Sequence, residues 1–311
     1  QGLTASTFAL MQANAFWARF WSAMAGASLA LIPLFWRRRL SPFLTLGLAL
    51  ALALDPILFI LSRQAGNAII VLAGLVWALS FFIAGKPVGV GVALAVALLG
   101  GPWAWAVLLL LLIALGIVYL INKAALNEFA SALLNVCPLR KSPTKFALSF
   151  VLTLLLLATS FGLDPAGISG IAGGLSAFLQ EGFLTSQFPA WTPIYRWAAY
   201  SICPLILSVV AAVHAWRDGA KAKKALSLLT MFLLLGAVLF ANLGTGGLAF
   251  VQLPIWILAL SEIERLVKSL SDQPRVSLYV FIFSLVLCVY LAISLKSFLN
   301  TFPGTLAFTQ Q

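Results

Sequence analysis

The basic residues of this chain fall almost entirely in every second gap between apolar stretches, and this alternation constrains the fold more than any other feature. Ten apolar stretches can be read, near 14–36, 42–62, 67–84, 87–100, 102–121, 146–163, 193–215, 225–241, 246–264 and 276–299. Fifteen of the nineteen Lys and Arg sit at Arg37–Arg39, at Lys86, within 122–145, at Arg217–Lys224 and at Arg265–Arg275. Only Arg19, Arg63, Arg196 and Lys296 fall elsewhere. Cytoplasmic loops keep Lys and Arg while translocated loops lose them, so the alternation sets orientation. It predicts an all-α, polytopic integral membrane bundle of about ten transmembrane helices, with both chain ends outside.

Composition agrees. With 62% apolar and 9% charged residues, the chain lies far from the average soluble domain. In a soluble protein a net charge of +11 would suggest nucleic acid. In this chain it marks orientation and contact with anionic inner-leaflet lipid, and no nucleic-acid partner is expected. Bilayer hydrocarbon offers backbone groups no partners, and no strand-like alternation is present, so the spans must be helices. The fourth stretch is short, and its flanks Pro87 and Gly100-Gly101-Pro102 predict a tight, broken hairpin. One membrane domain, 1–311, is expected. Its cytoplasmic loop covers about 122–145, and its outer interfacial segment about 163–192. That segment reads as a glycine-rich turn, Gly167 to Gly174, followed by an amphipathic stretch to Trp191. The chain begins at Gln1 without a signal peptide, which predicts a piece of a longer protein or a processed product.

Acidic residues are few enough to weigh singly. Glu128, Asp218, Glu262, Glu264 and Asp272 lie in or beside basic loops and read as solvated partners of Lys and Arg. Asp55 interrupts an apolar run just before Pro56, where a carboxylate needs a partner or a cavity. Capping a helix that restarts at Pro56 is its plainer role. Asp164-Pro165 reads as a turn, and Glu181 either faces an outer cleft or is an exposed interfacial acid. Arg63 closes the second stretch in Ser62-Arg63-Gln64, and Arg196 opens the seventh within Trp191–Trp197. Such arginines either snorkel beside an aromatic belt or clamp a phosphate with forked donors. The sole histidine, His214, has no ligand cluster near it in sequence, and Cys137, Cys203 and Cys288 show no metal-ligand spacing. Gly85-Lys86-Pro87 lacks the pattern of a phosphate-binding loop, and the Gly85–Gly89 spacing suggests a close helix contact.

Three collinear stretches carry a family resemblance. Ala18-Arg19-Phe20-Trp21-Ser22-Ala23-Met24-Ala25-Gly26, followed by Arg37-Arg38-Arg39-Leu40, resembles the start of a span and its basic turn in polyprenyl-phosphate-sugar glycosyltransferases of the GT-C type. These include protein mannosyltransferases and aminoarabinose transferases. Leu54-Asp55-Pro56 with Ser62-Arg63-Gln64 is similar to a later span and outer loop of that family. Gly173-Gly174-Leu175 through Pro193-Ile194-Tyr195-Arg196-Trp197 is similar to its outer segment. The resemblance covers roughly residues 5–260.

It implies a GT-C-like bundle in a prokaryotic inner membrane, with a cleft open to the outer side. There a sugar would pass from a polyprenyl-phosphate donor to an acceptor. Arg63 and Arg196 would stabilise the leaving phosphate, Tyr195 and Trp191 would line the sugar or lipid side, and Gln64 and Glu181 complete the candidate substrate site. The family's catalytic carboxylate falls upstream of Gln1, so no catalytic residue is assigned within this chain. Ala65-Gly66-Asn67 is neutral where the family carries an acid. No cofactor is evident, although the family allows a divalent metal. Expected partners are the lipid-linked donor, membrane lipids and a partner subunit. The competing reading is a non-catalytic membrane scaffold subunit built on the same bundle. A transporter fits the span count but lacks inverted repeats and unwound polar midplane helices.

Overall fold

The computed structural model describes residues 14–64, 67–121, 142–162, 165–184, 201–219, 221–240, 243, 246–270, 289 and 296. The described chain is all-α. Its helices are α1 (Ala15–Phe35), α2 (Pro42–Leu54), α3 (Pro56–Arg63), α4 (Ala68–Ile83), α5 (Pro87–Leu99) and α6 (Pro102–Ile121). They continue with α7 (Pro143–Ala158), α8 (Ser169–Leu179), α9 (Ile202–Asp218), α10 (Lys221–Leu239) and α11 (Gly247–Leu270). A 3₁₀ turn, Pro165–Ile168, precedes α8, and a π turn, Gln180–Leu184, follows it.

Proline and short polar residues set many of these boundaries. α2, α3, α5 and α7 each carry a proline in the first turn, where the missing N–H costs nothing and φ is already helical. Ser41 and Asp55 cap α2 and α3 by accepting from Leu44 N and Leu58 N. Gly85 ends α4 with φ +71. There Lys86 N donates to Phe81 O at 2.9 Å and Gly85 N to Phe82 O at 3.1 Å, the paired bonds of a Schellman motif. Gly85 is therefore a turn residue with open space around it. Only Gly89 fulfils the close approach expected of the pair, since a Cβ there would meet the Phe81 ring at 2.6 Å.

Among the described residues, two helices are individually long and apolar enough to cross a membrane, Phe16–Phe35 and Gly247–Lys268. Two bent pairs join them if each counts as one span: α2–α3, bent by 52°, and α5 with Pro102–Ala114, bent by 114°. The second bend is the hairpin expected at Gly100-Gly101, and Gly101 takes φ +93 there. The stretches at 193–200 and 276–299 lie mainly outside the described residues. One expectation fails in the outer segment. Gly170, Gly173 and Gly174 are not a turn but lie inside α8, and Gly174 lets that helix approach Trp105.

α11 is the centre of the bundle. Of its span window 78% is buried, against 22% for α1, and Val251, Ile255, Trp256 and Ala259 are fully buried. It packs against α2, α9 and α10, and less extensively against α3 and α4, while α5 packs between α4 and α7. Exposed Leu148, Val151, Leu152 and Leu155 on α7 give that helix an apolar outer stripe, which suits a lipid environment.

Tertiary contacts also gather the basic clusters at one end. Trp36 Nε1 donates to Ser80 Oγ at 3.0 Å, which sets the end of α1, with Arg37–Arg39, beside the end of α4 and Lys86. Gly91 packs on Phe146 and Ser149, bringing the starts of α5 and α7 together. Lys224 Nζ lies 5.4 Å from the Trp216 ring and joins the start of α10 to the end of α9.

Candidate functional site

The end of the bundle opposite the basic clusters holds the described residues expected to bind substrate. Arg63 is the last residue of α3, and its guanidinium lies 4.5 Å from the Phe59 ring centroid one turn earlier. This stacking holds a planar cation over an aromatic face. Its side chain is exposed, and among the described residues no carboxylate pairs with it. Gln64 N donates to Ile60 O at 3.1 Å, closing the helix as the chain turns into extended backbone.

The first two resembling motifs meet in space. A Cβ on Gly26 would collide with Ser62 Cβ, so α1 approaches α3 closely only because residue 26 is glycine. Arg19, half-buried on α1 about two turns from Gly26, lies toward the same end as Arg63. Glu181 is the second residue of the π turn after α8 and is exposed, while Phe178 and Phe183 around it pack on Phe240 just past the end of α10. Arg63, Gln64 and Glu181 thus share one end of the bundle. Trp191, Tyr195 and Arg196 lie outside the described residues.

α3 is aimed by a buried polar pair. Asp55, fully buried, accepts from Leu58 N and from Trp256 Nε1, each at 2.9 Å. Its capping role is therefore present, and the bond from Trp256 ties the bend between α2 and α3 to α11. Gln252, one turn before Trp256, donates through Nε2 to Ser201 Oγ at 2.9 Å at the start of α9.

At the basic end the structure corrects one expectation. Glu262 is not a solvated loop acid: it is 1% exposed, and its Oε1 lies 2.7 Å from His214 Nδ1. His214 thus has a carboxylate partner 48 residues away in sequence. Arg265 Nη1 lies 3.8 Å from Glu262 Oε1 and 3.4 Å from Asp218 Oδ2, and Glu264 pairs with Lys268 at 2.7 Å. Asp218 and Glu264 thus behave as the expected partners of Arg and Lys. No group of three His, Cys, Asp or Glu suited to a metal ion occurs among the described residues.

Sequence reasoning missed the partners of Asp55 and Glu262 and the Gln252–Ser201 pair. A usable signal was present in α11, where Gln252 and Glu262 interrupt an otherwise apolar helix. Such polar side chains need partners when buried. Comparison with protein-family models, with curated proteins and with solved structures finds no match for this chain.

Proposed function

We propose that this chain is the membrane core of a glycosyltransferase that takes a sugar from a polyprenyl-phosphate donor to an acceptor on the extracytoplasmic side. The observation that carries the reading is Arg63: an exposed guanidinium, stacked on Phe59, at the end of a bent helix pair and away from the basic clusters. A guanidinium there offers forked donors to phosphate oxygens, and charge grows on those oxygens as the sugar leaves. Arg196 and Arg19 are the other cations for the same phosphate, Tyr195 and Trp191 line the sugar or lipid side, and Gln64 and Glu181 flank the site. The family resemblance supplies the reaction class. A carboxylate that takes the acceptor's proton completes the reaction, and a divalent metal is compatible with the donor phosphate.

The neutral Ala65-Gly66-Asn67 after Arg63 favours a second reading, a scaffold subunit that binds lipid or a neighbouring chain without catalysis. Binding and turnover separate the two. The full chain in nanodiscs would be titrated with polyprenyl monophosphate and assayed with lipid-linked sugars. Phosphate binding that weakens roughly ten- to hundredfold in Arg63→Ala, the loss of one charge-assisted interaction, is expected. Binding that is unchanged with both Arg63 and Arg196 replaced by alanine rejects the donor site. Intact binding without transfer, even when neighbouring subunits are restored, selects the scaffold.

A further inference from the structure

Glu262 carries a buried oxygen with nothing to bond among the described residues. Its Oε1 faces His214 Nδ1 at 2.7 Å, whereas Oε2 is shielded from solvent and has no hydrogen-bond partner among them. A bare carboxylate oxygen in such a place is costly, more so when the group is ionised. Water does not reach Oε2 in this packing, so the addition that leaves α9 and α11 in place is a proton. His214 supplies the route. Its ring is 34% exposed, and Nδ1 is engaged by the carboxylate. Nε2 is left without a protein partner among the described residues.

We propose that His214 and Glu262 form a proton-binding dyad, with His214 as the solvent-side port and Glu262 as the buried acceptor. In the proton-poor state the imidazole is neutral, Nδ1–H donates to Oε1, and Nε2 keeps its lone pair. A solvent proton adds to Nε2. The Nδ1 proton is then shared with Oε1 or passed to it, and the unit gains one positive charge. Only N–H and O–H bonds change, and no other reactant is required.

Among the described residues, the helices packed against the pair supply the surrounding charges. α9 brings Arg217 and Asp218, α11 brings Glu264, Arg265 and Lys268, and α10 brings Lys223 and Lys224. α2 and α4 bring none, and Asp55 and Arg63 of α3 lie farther toward the opposite end. Asp218 is held by Arg265 and Glu264 by Lys268. Among the described acids of this end, Glu262 is therefore the one whose nearest partner is an imidazole, with Arg265 Nη1 farther off at 3.8 Å from Oε1. The dyad is independent of the glycosyl-transfer reading, since it occupies the other end of the bundle.

The chain has one histidine, so its imidazole signals are unambiguous. The full chain in nanodiscs would be labelled with ¹⁵N-histidine for NMR across pH, and its carboxyl region followed by infrared spectroscopy. We expect the neutral ring to carry its proton on Nδ1. We also expect a carboxyl band that changes together with the ring nitrogens and is lost in Glu262→Gln, where both tautomers appear. A ring protonated on Nε2 in the proton-poor state at high pH, in the unmodified protein, overturns the proposal, as does a carboxyl spectrum that stays constant across the pH range over which the ring nitrogens change. Both of those measurements are made on the unmodified chain, so they decide even if Glu262→Gln fails to fold.

Discussion

Removing the Trp256 indole N–H tests whether one hydrogen bond fixes the bend that aims Arg63. Asp55 and Trp256 are 201 residues apart in sequence, both fully buried, and 2.9 Å apart at Oδ2 and Nε1. Trp256→Phe removes the donor and part of the ring, and is expected to destabilise by about 2–4 kcal/mol through lost packing and a weakened carboxylate environment. Asp55→Ala loses the same bond and, in addition, a helix cap of about 1 kcal/mol. The double variant removes both partners, so the cycle isolates their coupling, for which a bond to a charged group gives about 1.5–3 kcal/mol. Reversible unfolding of the purified chain in mixed micelles, followed by circular dichroism, provides the four stabilities. A coupling below about 0.5 kcal/mol, the usual scatter of independent sites, would refute the argument. Under the proposed function, polyprenyl phosphate binding should weaken in Trp256→Phe as well, because α3 loses its tie to α11.

Further outcomes follow from single positions. Gly91→Ala places a Cβ 2.8 Å from Phe146 O and 2.9 Å from Phe150 N. Backbone cannot yield there, so a loss of roughly 1–3 kcal/mol is expected in the same unfolding assay. Phe161 adopts φ 60 with an exposed side chain. Phe161→Gly should therefore stabilise by about 0.5–1 kcal/mol, and a lower stability would contradict a strained left-handed residue. Lys268 is 74% exposed in its pair with Glu264, so Lys268→Ala should shift stability by no more than about 0.5 kcal/mol.

Much of the helix layout was legible because its signals are local. Pro42, Pro56 and Pro87 announce helix starts by what their rings do to the backbone, whereas α7 begins at Pro143, inside the expected loop. Gly100-Gly101-Pro102 announces the hairpin in the same way. The helical state of Gly170, Gly173 and Gly174 was not legible. Glycine alone favours a turn, and only packing of α8 near Trp105 makes a glycine-bearing helix face useful. Glu262 misled for a related reason. Beside Glu264, Arg265 and Lys268 it looks like one more solvated charge, and only the packing of α9 on α11 buries it against His214.

The sequence by itself determined that the chain is apolar, helical and basic in alternate gaps. Composition, proline positions and charge order act within a helix or across one loop, so they can be read along the chain. The tertiary structure decided which polar residues meet: Trp256 with Asp55, Gln252 with Ser201, His214 with Glu262, and the Gly26 contact with Ser62 beside Arg63. Those pairings depend on the rotation and separation of helices distant in the chain. In an apolar interior many rotations bury similar hydrophobic area, so a few hydrogen bonds and glycine contacts select among them.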